Sequence, residues 1–465
     1  MHTRSAVSVA SLLLIASGCT DRSLPSAPRR AAGPSATVYT ATVSGPVTLS
    51  GLVGSTQNIA FGINAAGIVS GTSGGHTVVW TTGTGVAPSS TAPITVDYGL
   101  GYDINAAGQI AGEYASQAAL WTPDGSGGYV RTDIGAQLPS PVFSDAWAVN
   151  DGGKVVGYFR TIENAVAVDK CFLWTPNVAN GTVGTVSIPS SDFGGGFCVA
   201  NDINSAGTIA GASNLPSGGS HAFVWDGGAS LTDLTPGGDP SYGTAINDGG
   251  QVAGWRVASP TLGGVTNAAV WTPTGPSSWS VQDLGTFGHD ESQAADINDA
   301  GFVVAFGRNN TTTVDDAFFW QNGVATPLPG ITGYTTAPTG ALNNLTNTGV
   351  VLIVGASTNT VTADRIALRW AVTLTPVTPQ GCIADLVALV GQMQTDGTLR
   401  TGEAKSLLAK LDATTRQIDQ GRTTPATNLL YAFINEVNAL VASGRLTAAQ
   451  AQPLIDGARC AIDAL

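Results

Sequence analysis

Histidine, carboxylate and serine fall together in Gly288-His289-Asp290-Glu291-Ser292, and a second carboxylate pair, Asp315-Asp316, follows. A Ser-His-Asp set would supply a nucleophile for acyl transfer. Paired carboxylates would supply acid and base for glycoside cleavage, or ligands for calcium. A triad is a matter of geometry, which adjacency in sequence does not provide, and turn residues of this kind are ordinarily solvated. No catalytic residue is assigned on this basis, and His289 is kept as a candidate ligand contact. Trp147 and Trp255 lie outside the position where tryptophan recurs in this chain, so they are candidates for stacking on a ligand. Cysteines in Cys-x-x-Cys spacing or close to a histidine are lacking, so neither a metal site nor a cofactor is expected.

The elements that would position these residues come from a repeat. Ala245-Ile246-Asn247-Asp248-Gly249-Gly250-Gln251-Val252-Ala253-Gly254 leads on to Trp271. Further copies of the turn open at Asn64, Asn105, Asn150, Asn204 and Asn298, with a degenerate one at Thr346. They close at Trp80, Trp121, Trp174, Trp225, Trp320 and Trp370. Asn followed three residues later by Gly suits a type I turn between antiparallel strands, and the flanking residues are short, apolar and partly β-branched. Four residues past the turn glycine stands a second small residue, such as Gly71, Gly112 or Gly157, which predicts close approach of packed sheets. A third strand ends in Trp and a fourth reads Asp-Leu twice, at Asp233-Leu234 and Asp283-Leu284. Each unit is therefore a four-stranded sheet.

The tryptophans recur about every 48 residues, within the range of propeller blades. The expected fold is mainly β: a seven-bladed β-propeller over 38–372, with a blade count open by one and a stacked solenoid as the alternative. The strand from Val38 to Val43 is placed to close the ring against the last blade. The repeat, with His221-Ala222-Phe223-Val224-Trp225 as its clearest third strand, resembles the HAF family of extracellular repeats over about 58–372. That resemblance implies a secreted or surface protein of repeated β units, without a common activity.

Residues 1–18 read as a signal peptide, with Arg4 before an uncharged run from Ser5 to Gly18. The run ends Leu14-Ile15-Ala16-Ser17-Gly18-Cys19, which resembles a bacterial lipoprotein box with Cys19 acylated. This resemblance implies an outer-membrane lipoprotein of a Gram-negative bacterium, facing periplasm or cell surface, and an ordinary secreted chain is the alternative. Residues 19–37 form a flexible tether rich in Ser, Pro and Ala. The other four cysteines allow three pairings. Cys171 lies in the third strand of repeat 3 and Cys198 opens repeat 4, whereas Cys382 and Cys460 stand at the ends of the last domain. Pairing within domains is expected, in an oxidising compartment.

After the linker 373–381 the texture changes, and apolar residues fall at helical spacing in four segments: Ile383 to Met393, Leu407 to Ile418, Leu429 to Leu440, and Leu454 to Ile462. Gly397-Thr398-Leu399 and Gly444-Arg445-Leu446 open matching patterns, so 382–465 is a duplicated four-helix unit. Through Ala432-Phe433-Ile434-Asn435-Glu436-Val437-Asn438-Ala439 it resembles the FIMAH domain, whose Met and His positions fall here on Val437 and at or beside Leu440. Gln394-Thr395-Asp396-Gly397 lacks the carboxylate series of a calcium loop.

A net charge of −13 excludes a nucleic-acid partner, since phosphate binding needs clustered Lys and Arg. The expected function is an exported, membrane-anchored, non-catalytic binding or adhesion module. Its propeller loops, among them Arg160 to Asp169 and Ala258 to Thr266, would recognise a glycan or an extracellular protein. The alternative is an extracellular polysaccharide hydrolase or lyase with carboxylates at the channel. Convergent acids of shifted proton affinity there would argue for it.

Overall fold

The computed structural model describes residues 39–258, 264–275, 277–309, 314–337 and 350–465. Cys19 and the degenerate turn at Thr346 lie outside the described residues. Seven four-stranded antiparallel sheets form a closed ring, which settles the blade count and replaces the solenoid alternative. In blades 1 to 6 the strands follow chain order outward from the axis. Blade 2, for example, runs Leu100–Ile104, Ile110–Tyr114, Gln117–Pro123 and Tyr129–Asp133. Blade 7 is completed from both ends of the unit, as Tyr39–Leu49 pairs with Arg365–Pro376 outside Val350–Asn359 and Tyr334–Ala337.

The Asn-x-x-Gly turn folds as expected. In blade 1, Asn64 Oδ1 accepts from the amides of Ala66 and Ile68, and the Gly67 amide donates to Asn64 O. Gly67 takes φ +72°, where a side chain would be strained. All seven repeat tryptophans are buried between blades. Most find a partner for the indole N–H, such as Ser50 O at 2.8 Å for Trp80.

The second small residue has a different cause from the one expected. In blades 1 to 6 the inner strand carries a β-bulge three residues before its turn asparagine, as between Gly101 and Asp103. The bulge swings an inner-strand carbonyl toward the neighbouring strand of the same sheet. A Cβ on Gly112 would lie 1.9 Å from Leu100 O, and one on Gly157 the same distance from Asp145 O. The close approach is therefore carbonyl to glycine within one blade, not sheet to sheet.

The propeller strands continue to Pro376, and a separate compact unit begins at Thr378. Its helices are α1 (Pro379–Thr395), α2 (Thr401–Asp419), α3 (Thr423–Ala442) and α4 (Ala448–Asp463). Thr378 and Thr447 cap α1 and α4. The duplication is visible in the turns: Gly397 and Gly444 have positive φ, and the amides of Leu399 and Leu446 each reach back six residues, to Met393 O and Leu440 O. Asp396 is the C-cap of α1, bonded to the Thr398 amide. Disulfides join Cys171 to Cys198, linking blades 3 and 4, and Cys382 to Cys460, linking α1 and α4. Among the described residues no helix is long and apolar enough to cross a membrane. The two disulfides are compatible with an exported protein.

Candidate functional site

Inner strands and their turns converge on the propeller axis. At one end of the channel the turns of six blades surround a depression of about 210 Å³. Here five asparagines each pass a hydrogen bond to the next blade: Asn64 Nδ2 to Asn105 O, Asn105 to Asn150 O, Asn150 to Asn204 O, Asn204 to Asn247 O and Asn247 to Asn298 O, all at 2.9–3.1 Å, while Asn298 Nδ2 is buried without a partner among the described residues. A second set of bonds supports the first. Asp151, Asp248 and Asp299 accept the amides of Ala106, Ser205 and Asp248 from the preceding blade.

Two residues before the turn asparagine, blades 2, 4 and 6 carry Asp103, Asp202 and Asp296, and blades 1, 3 and 5 carry Gly62, Ala148 and Ala245. At Gly62 the small residue has a steric reason, since a Cβ there would meet Asp103 Cα at 2.9 Å. Asp103 and Asp202 each reach into the following blade, accepting from Val149 N at 2.9 Å and Ile246 N at 2.7 Å. Burial pushes Asp103 up to about 6 and Asp202 up to about 7, against the pull of these amides. Their lone pairs are engaged in holding blades together.

One residue further back, roughly 10 Å along the strand from the turn, is the bulge position itself. In blades 1, 2 and 3 it is Phe61, Tyr102 and Trp147. The three rings touch in series: Phe61 meets Tyr102 edge-on at 5.4 Å, and Tyr102 stacks on Trp147 at 4.7 Å and 22°. In blades 4 and 5 the position is polar, and Asn201 and Thr244 donate across to Gly243 O and Ala294 O of the following blades. One arc of the wall is thus aromatic and the other hydrogen-bonded.

The aromatic arc carries polar atoms without partners. Trp147 Nε1 and Asp145 Oδ1 are both buried, and neither forms a hydrogen bond. Asp145 is 4% exposed and stands two residues before Trp147 on the same strand. Desolvation, then the charge of Glu113 on the adjoining blade, pushes its carboxyl up to about 7. Burial, with Asp145, Glu113 and Tyr158 nearby, raises the Tyr102 hydroxyl as well, and Tyr158 is pushed up to about 12 by burial and then by Asp145.

The other sequence candidates are placed elsewhere. Trp255 stacks on Tyr242 across blade 5, at 5.6 Å and 7°. His289 Nε2 meets Asp316 at 2.9 Å in blade 6. Ser292 is fully buried, donates to Gly285 O and accepts from Ala268 N, so that no triad forms with His289. Asp315 is bound by Arg308, which also approaches Glu291 at 3.6 Å. The Arg160–Asp169 stretch is a β-hairpin turning at Asn164-Ala165 instead of the expected loop, and its two end residues pair with each other at 2.7 and 2.9 Å. Part of the Ala258–Thr266 loop lies outside the described residues. A cleft of about 450 Å³ beside the Cys171–Cys198 disulfide has its Lys170 paired to Glu163. Among the described residues no group of three or more His, Cys, Asp or Glu is placed to hold a metal ion.

Sequence reasoning reached Trp147 but not Phe61, Tyr102 or Asp145. A usable signal existed: with the repeats aligned on the turn asparagine, the residue three before it reads Phe, Tyr, Trp in the first three copies.

A family model for the FIMAH domain matches residues 383–463. Among solved structures, the chain is similar to a triple arginine-to-alanine mutant of AofleA from Arthrobotrys oligospora, at 12% identity and a TM-score of 0.33, over 62% of this chain and 88% of that one. No curated protein matches.

Proposed function

We infer that the chain is an exported binding module whose propeller recognises a glycan at the aromatic arc of its channel. The observation that carries this reading is the contiguous set Phe61, Tyr102 and Trp147 beside buried polar atoms that lack partners. Sugars are held by apolar ring faces together with a few hydrogen-bonding groups, and the arc offers both. The propeller fold and the FIMAH domain are consistent with a binding or adhesion module. The repeats are HAF-like units, and acylation of Cys19 anchors the chain to the outer membrane, with the tether at 19–37 giving it reach.

The test is a glycan array on the disulfide-bonded chain, with product analysis of every sugar retained. Binding without scission, lost in Trp147→Ala while the melting transition persists, is the expected result. Retention of full affinity in that variant would overturn the assignment of the arc. A second reading, polysaccharide hydrolysis or lysis, draws on the Asp145 carboxyl, pushed up to about 7 within reach of the Glu113 charge, which is the condition of a general acid near neutrality. Chain scission abolished by Asp145→Asn would establish it over the first. For the anchor, Cys19→Ala should move the protein from the membrane fraction to the soluble fraction.

A further inference from the structure

Asp145 is a costly residue for the fold alone. Its carboxyl is 4% exposed, and among the described residues one oxygen has no hydrogen-bond partner and no ion pair compensates it. An uncompensated buried anion ordinarily loses its charge or finds a counter-ion. The groups that act on it or share its surroundings are Glu113 from the second strand of blade 2, Tyr102 from the inner strand of blade 2, and Tyr158 from the second strand of its own blade. Beyond Tyr158 stand Asp169, Arg160 and Tyr242. Arg160, the cation of this set, is held bidentately by Asp169. The local charge is therefore negative, and Tyr102, which shares these surroundings, stacks on Trp147, whose outer face is of the kind that attracts cations.

We propose that the channel site selects an ammonium-bearing saccharide, such as an oligomer of a deacetylated or N-methylated amino sugar, with Asp145 as the counter-ion and Glu113 as the second anion. The proposal rests on the glycan-binding reading above and adds to it the charge of the ligand. An anionic sugar would bring a third negative group to a site without a spare cation. A neutral sugar would leave the carboxyl uncompensated. An ammonium group supplies the missing charge, and where it bears an N–H it also supplies a donor for the open oxygen.

The experiment is isothermal titration of the full chain with three probes of equal length: a permanently charged N-trimethyl glucosamine oligomer, its N-acetyl counterpart, and an oligogalacturonate. Only the ionised carboxyl attracts the ammonium, so affinity for the trimethyl probe should fall by about tenfold for each pH unit below about 7. Asp145→Asn should remove that pH dependence and bring the trimethyl and N-acetyl probes to equal affinity, its fold being checked by circular dichroism and melting. Should that variant not fold, the pH series on the unaltered chain and Glu113→Gln still decide. Equal, pH-independent binding of the N-acetyl and trimethyl probes, or tightest binding of the galacturonate, would overturn the charge selection and leave glycan recognition standing. Absence of binding by all three probes and by the array would overturn both.

Discussion

The turn end of the channel and the aromatic arc are built from the same strands, a few residues apart, and they treat polar atoms in opposite ways. At the turn end most donors and acceptors are engaged: the asparagines of blades 1 to 5 bond to the next blade, Asn298 of blade 6 bonds only its own turn among the described residues, and the aspartates accept amides across the blade boundary. At the arc, a carboxyl and an indole N–H are buried without partners. A satisfied network rigidifies the fold, whereas an unsatisfied buried group costs stability and needs a reason for its retention. The first end reads as ring construction and the second as a site.

That contrast is open to attack by substitution. Largest in effect should be Gly112→Val, which pushes a side chain against Leu100 O; a loss of about 4 kcal/mol or more, or failure to fold, is expected by denaturant titration. Asn204→Ala removes a bond to its own turn and one to Asn247 O, leaving buried partners unpaired. A cost of about 2–3 kcal/mol should appear without ligand, and a neutral result would remove the claim that this end builds the ring.

Asp145→Asn should go the other way. The folded-state carboxyl sits at about 7, above its unfolded value, so the folded protein binds the extra proton and stability falls as pH rises between those values. The variant should abolish that fall and be about 3–4 kcal/mol more stable than the parent at about pH 8, with little difference near pH 4. If the variant is less stable at pH 8, the carboxylate has a stabilising partner and the contrast fails. Smallest is Asp151→Ala at the exposed rim of the turn end, where loss of the bond from the Ala106 amide should cost about 0.5–1 kcal/mol and leave ligand affinity unchanged.

Much of this architecture was legible. The turn asparagines, the repeating tryptophans and the N-terminal strand sufficed for seven blades with a closing strand from the other end of the unit, because each feature is a local rule repeated in step. The helical unit followed from apolar periodicity, and both disulfides join the cysteines expected to pair. The glycine after each turn was legible as a close approach but not as an approach to its own sheet's carbonyl. A bulge is set by how strands pair, and it leaves no residue type of its own.

Trp147 stood out as the wrong tryptophan for its position, yet its partners were hidden. Phe61 and Tyr102 are unremarked apolar residues within their own repeats. What the chain by itself determined was the unit and its number to within one, since hydrogen bonding in a turn and burial of one tryptophan per sheet are satisfied within a blade or two. What only the closed ring decided was which variable residues meet. Bringing repeats together around an axis makes neighbours of Phe61, Tyr102 and Trp147, which lie some forty residues apart in sequence, and it is closure that shuts Asp145 away from water beside them.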